Sequence, residues 1–340
     1  MKSQKSAVKT VKTKPATAET QLVPATGFSL EPVYTALRKR YPAAGQAEAV
    51  AFAADFYKRM EADEFPHHSV EEWAALAADT LEFARSRKAG KANVRVFNPT
   101  AKANGWESPH TVLQIVNEDM PFLVDTVTMA MAEQGIGVHV LGHPVIRFSR
   151  DKAGKLAKVG EGEIESVMLL EIDRQSPEAM ADVEQGIVKA LEEVRSIVRD
   201  WQPMRDKALA VADDLGSRQL PVDDASRREA QEFLRWAADN HFTFFGYREY
   251  RVQKDGKEDV LAPLNDTGLG LMKGRDTSAA RPVKTLAAQG LNTTTGLKDA
   301  LILTKTNARS RVHRAGYMDY IGVLEFDAKG RIIGEQRFLG

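Results

Sequence analysis

Between Thr111 and Trp201 the spacing of apolar residues switches from two to three or four and back again, and this alternation restricts the possible fold more than any other feature of the chain. Thr111 to Val116 is a β-branched run, which predicts a strand. Asn117 to Pro121 leads from it into a helical stripe of Leu123, Val127, Ala130 and Met131. Gly135 and Gly137 end that helix, and Val138 to Phe148 resumes a strand broken at Gly142 and Pro144. A polar turn around Gly154 and Gly160 leads to a further strand, Ser166 to Ile172. The next helix has Ser176 as cap and Pro177 in its first turn, with Met180, Val183, Ile187, Leu191, Val194, Val198 and Trp201 on one face. Strand, helix, strand, strand, helix predicts an α+β sandwich, with helices on one sheet face.

The flanks divide the rest of the chain. Residues 1–26 carry five lysines against Glu19 and no aromatic residue, so they predict a disordered basic tail. Residues 27–90 predict a small helical module: Ser29 opens one helix, Phe52, Phe56 and Met60 share a stripe on a second, and Ser69 with Glu72 forms a capping-box pair before a third. The sandwich takes residues 91–205. A polar stretch with Gly216 and Pro221 reads as a linker over 206–225. Residues 226–340 predict a second α+β module rich in hairpins. Ser226 and Glu229 are the expected cap of its helix, Asp255-Gly256 is a hairpin turn, and strands recur up to Phe338. The sequence stops in mid-strand, which predicts that it is part of a longer protein.

Charge and composition exclude several functions. Lys plus Arg equals Asp plus Glu at 47 each, so nothing here predicts a nucleic-acid or membrane partner. Cysteine is absent, which rules out a thiolate nucleophile and Cys-ligated metal. No apolar run reaches the ~18 residues of a membrane span, so a cytoplasmic location is expected. Gly135 and Gly137 follow a helix and precede a strand, the reverse of a dinucleotide turn; Gly268, Gly270 and Gly274 have no convincing helix after them. No metal site is expected: four strand residues set His139 and His143 roughly 13 Å apart.

Two groups remain as candidate sites. Asn117, Glu118 and Asp119, with Asp125 nearby, sit at a strand-to-helix turn where acids could hold the ammonium of an amino-acid effector, or where Asp119 could simply cap the helix. Arg309, Arg311, His313 and Arg314 could grip an anion, or dock acidic residues elsewhere in a larger protein. No nucleophile accompanies Asp119, Asp125 or His313, so no catalytic residue is assigned.

The stretch from Thr111 to Trp201 resembles an ACT domain, a ferredoxin-like βαββα module that often binds amino acids. Glu118-Asp119-Met120-Pro121-Phe122-Leu123 lies where that family carries Asp-x-Pro-Gly, with Phe122 in place of the glycine. More specifically, Asp119 to Asp125, Phe242 to Tyr250 and Arg311 to Val323 are similar to the N-terminal region of the large bacterial NAD-specific glutamate dehydrogenases. That resemblance implies a parent enzyme that oxidatively deaminates glutamate with NAD, and a non-catalytic regulatory and oligomerisation segment here. It also implies that this segment binds no cofactor itself, and that its partners are other copies of itself and the catalytic part of the same polypeptide. The rival expectation is a freestanding amino-acid sensor.

Overall fold

The computed structural model describes residues 29–58, 68–217, 220–274, 281–283 and 299–340. The expected basic tail, residues 1–26, lies outside them. Three helices open the described chain: α1 (Glu31–Arg40), α2 (Ala43–Tyr57) and α3 (Val70–Ala84). The Ser69 hydroxyl accepts the Glu72 N–H at 3.2 Å, and the Glu72 carboxylate accepts the Ser69 N–H at 2.8 Å, so the capping box forms as expected. That backbone hydrogen bond holds the Glu72 carboxyl below its ordinary range. Ser69→Ala should cost about 1 kcal/mol, read as a lower urea midpoint. An unchanged midpoint would show that the box is decorative.

The first sheet is antiparallel throughout and follows the order β1-β2-β6-β4-β5, with β3 also beside β6. Its elements are β1 (Asn93–Phe97), the short α4 (Ala101–Asn104), β2 (Thr111–Glu118), α5 (Leu123–Glu133), β3 (Val138–Gly142), β4 (Val145–Arg150), β5 (Leu156–Val159) and β6 (Glu163–Ile172). Period-two alternation gives β2 two apolar faces. Leu113 and Ile115 pack on α5 and the following helix, while Val112 and Val116 join Phe52, Phe56, Leu76 and Leu81 of α2 and α3. Helices were expected on one sheet face only, and the structure corrects this. The stripes of residues 29–86 cannot bury themselves in a three-helix core this small, so they cover the second face.

A second correction concerns the linker. Helix α6 (Pro177–Ser217) runs for 41 residues, so residues 206–217 of the expected linker are helix, and residues 224–225 belong to the next helix. The Ser176 hydroxyl accepts from the Ala179 N–H, as a cap should. Beyond Trp201 the buried set continues with Met204, Ala208, Val211, Ala212 and Leu215, while Asp206, Lys207 and Asp213 face outward and give the stretch its polar look. Pro203 lies inside this helix without ending it. Helix α7 (Asp224–Trp236) is capped by Asp223 rather than by Ser226; the Asp223 carboxylate accepts the Ser226 N–H at 2.8 Å.

The second sheet is also antiparallel. It contains β7 (Gly246–Asp255), β8 (Glu258–Pro263), β9 (Leu269–Gly270), β10 (Arg281–Pro282), β11 (Leu301–Ser310), β12 (Gly316–Phe326) and β13 (Ile332–Leu339), in the order β10-β8-β7-β13-β12-β11 with β9 beside β7. The expected hairpin at Asp255-Gly256 joins β7 to β8, with Gly256 at φ 60°. Phe244, Tyr247, Ile321, Val323 and Phe338 pack on α7 and the lower half of α6. Phe245, Leu271, Val312 and Met318 instead enter the core between α6 and the first sheet. The chain is therefore mixed α+β with two antiparallel sheets joined through α6. Among the described residues, no helix is long and apolar enough to cross a membrane.

Candidate functional site

The turn after β2 is built around charge. Asn117 is fully buried, and its side-chain oxygen accepts from Arg195. One Glu118 oxygen accepts the Gly90 N–H at 3.0 Å and lies 3.5 Å from Arg87; the other lies 3.6 Å from Arg195. Burial alone would raise the Glu118 pKa, but the Gly90 hydrogen bond and the two arginines outweigh it and hold the carboxyl below its ordinary range. An ammonium group reaching Glu118 would thus compete with two guanidiniums. Asp119 does not cap α5: its carboxylate accepts the Ser166 hydroxyl at 2.6 Å. His143 Nε2 lies 2.9 Å from the same hydroxyl oxygen. Because the serine proton goes to Asp119, the imidazole donates to Ser166 and cannot activate it. Ser166 is also fully buried, so this trio is structural.

Phe122 keeps the backbone that a glycine would give, with φ 72°. Its ring meets His313 at a centroid distance of 4.7 Å, and His313 is itself left-handed at φ 68°. The two groups singled out separately in the sequence therefore converge. His313 Nδ1 lies 3.4 Å from Asp125 Oδ2, the His313 N–H donates to the Thr126 hydroxyl, and Arg311 lies 3.8 Å from Glu133. Val312 between them is fully buried, which stabilises the contact by about 1.5–3 kcal/mol. Half-exposed ion pairs add only about 0–1 kcal/mol each, so Val312 and Met318 hold the joint while the charges fix its register. Arg309 stacks over Tyr317 at 5.5 Å, and Arg309 and Arg314 both face solvent. Arg311 and His313 thus face Glu133 and Asp125 of α5 within this chain.

Sequence reasoning missed the centre of the network. Glu165 is buried at 1% exposure and takes two hydrogen bonds each from Arg87, at 2.9 and 3.0 Å, and from Arg150, at 2.6 and 2.9 Å. These residues share no motif. The readable signal was weaker: Arg195 stands four residues after Leu191 on an otherwise apolar stripe. The fate of the histidines was also open; His139 pairs with Asp173 at 2.8 Å and stacks on His110, and no metal-holding group of acids and histidines occurs among the described residues.

The glycine clusters do not fit a dinucleotide. The Gly137 N–H is taken by Asp173, and the space beside Gly270, where a Cβ would stand, is filled by the Phe245 carbonyl 2.3 Å away. Among the described residues, neither cluster leads from a strand into a helix.

These features define a class: a mixed α+β protein built on two antiparallel sheets. Residues 52–187 match the family model of the glutamate dehydrogenase ACT1 domain, which takes in the C-terminal end of α2 and all of α3 as well as the first sheet. The chain is 33% identical over 304 residues to the NAD-specific glutamate dehydrogenase of Halomonas elongata, covering 86% of this chain and 19% of that enzyme. The Pseudomonas aeruginosa enzyme of the same name is 30% identical over 316 residues, 90% of this chain and 19% of the relative. The Mycobacterium tuberculosis enzyme is 26% identical over 281 residues, 78% of this chain and 16% of the relative. The chain corresponds to the N-terminal region of a large NAD-specific glutamate dehydrogenase. It spans about a fifth of the length of the two more similar of these curated relatives.

Proposed function

We propose that this chain is a non-catalytic regulatory and assembly segment of an NAD-specific glutamate dehydrogenase, acting within a cytoplasmic enzyme that converts glutamate to 2-oxoglutarate. One observation carries the reading: α6 is shared by both cores, with Val183 to Ile197 in the first and Met204 to Leu215 in the second. A displacement at the turn after β2 reaches α6 through Arg195, and from there the second module. An amino-acid effector at Asn117, Glu118, Asp119 and Asp125 would compete for Glu118 and so act on that path. The ferredoxin-like reading of the first sheet is supported by β6 lying between β2 and β4 in the run β2-α5-β3-β4-β5-β6-α6. In this proposal NAD is held by the catalytic part of the same polypeptide, and the chain also pairs with copies of itself. The apolar stripe of α6 is used internally, so self-pairing falls to the sheet edges, β1 and β5 in one sheet and β11 in the other.

The test compares the isolated chain with the full-length polypeptide. With glutamate and NAD, only the full-length protein should produce NADH, and removal of this segment should change its oligomeric mass or its response to amino acids. NADH production by the isolated chain would overturn the reading.

A further inference from the structure

Next to the buried charge network a cleft of about 280 Å³ opens between α6 and the segment after β9. Its lining is unbalanced: Lys91, Arg195, Arg199 and Lys273 face Glu192 and Asp200. The carboxylates are committed, since Glu192 pairs with Lys91 at 2.8 Å and Asp200 takes Lys273 at 3.3 Å together with the Gly270 N–H at 2.9 Å. Arg195 is 7% exposed, and its Nε has no hydrogen-bond partner. The carboxylate it faces, Glu118, is shared with Arg87. Arg199 is exposed and makes no ion pair among the described residues. Burial works most against the protonated form of Arg195; Glu118 next favours it, and the like charges of Arg87 and then Arg199 oppose it. A buried guanidinium with an unused donor beside two like charges is costly unless an anion joins it.

We propose that this cleft binds a compact dianion, with Arg199 and Lys273 as its outer contacts and Arg195 as its inner one. The shared chemistry is two closely spaced negative charges, as in a small dicarboxylate or a phosphate group. Such a ligand would tie α6 to the second module, where the Ser196 hydroxyl already donates to the Gly270 carbonyl at 2.9 Å. The site adjoins the turn proposed for an amino-acid effector and shares Arg195 with it, and its occupancy can be measured on this chain without any enzymatic activity.

Calorimetric titration of the chain at low ionic strength with inorganic phosphate, with malonate, and with uncharged malonamide tests this. Phosphate, malonate or both should bind, malonamide should not, and affinity should fall as salt is added. Arg199→Gln and Lys273→Gln should each weaken binding about tenfold, the effect of losing one charge-assisted contact. Lys158→Gln, which removes an exposed cation paired with Glu161, should leave it unchanged. Binding of phosphate alone would identify a phosphate group, and of malonate alone a dicarboxylate. Arg199 is exposed, so Arg199→Gln should melt like the parent without ligand, while Lys273→Gln also takes a partner from the buried Asp200; a bound anion should raise the melting temperature of the parent more than that of either variant. No binding by either anion, or equal affinity in all variants, overturns the proposal.

Discussion

Replacing Glu165 with alanine is expected to destabilise the chain by about 3–5 kcal/mol, as for removal of one partner from a buried ion pair. The size follows from what is left behind. Arg87 and Arg150 are 5% and 9% exposed at the side chain, and each directs two donors at this carboxylate. Without it two guanidiniums stay buried with Glu118 as the nearest compensation, 3.5 Å from Arg87. The carboxyl is also held below its ordinary value of 4.5: burial pushes upward, and the hydrogen bonds and charges of Arg150 and Arg87 outweigh it. Since the folded value is the lower one, the stability it contributes is complete above 4.5 and is lost as pH falls through the folded value. Glu118 is lowered in the same direction and should lose its share in the same acidic window. Urea unfolding at pH 7 and pH 3.5 checks this. The parent should lose more stability between the two than Glu165→Gln, which has no charge there to titrate. Equal losses would mean that the network contributes nothing to acid sensitivity.

What the sequence disclosed and what it hid divide along a physical line. Periodicity is local, so it found β2, α5, β6 and the start of α6, and side-chain capping found Ser69 and Ser176. The apparent linker failed because the lower half of α6 buries small residues, Ala208 and Ala212, among charged neighbours, and a stripe of alanines looks polar when averaged. The Ser226 cap failed because Asp223, three residues earlier, offers the stronger acceptor. At the site, Glu118 and Arg311 were visible as charged residues, but their partners Arg87, Arg195 and Glu133 lie 31, 77 and 178 positions away and no motif records such pairings. Phe122 was the informative exception. It stands in a glycine's place, and its backbone is left-handed as a glycine's would be, with the ring set against His313 and the α5–α6 core.

The shared helix leads to the other large effect. Leu191→Ala, in the core under the first sheet, and Leu234→Ala, under the second, should each cost about 2–5 kcal/mol, since both side chains are fully buried. Chains of this length usually unfold in more than one step. Here a single step is expected, because opening either core breaks the other. Freeing the first sheet from α6 exposes Phe245, Leu271, Val312 and Met318, which belong by sequence to the second module. Freeing the second module strips Met204, Ala208 and Val211 from a helix whose upper half has no reason to end at Trp201. Calorimetry should show one endotherm in the parent and in both variants, shifted to lower temperature by either substitution, with calorimetric and van't Hoff enthalpies in agreement. Two resolved transitions, with Leu191→Ala moving one and Leu234→Ala the other, would mean that α6 is a tether between independent domains. A tether cannot carry a ligand's effect from the turn after β2 to the second sheet, so that outcome would remove the physical basis of the regulatory reading as well.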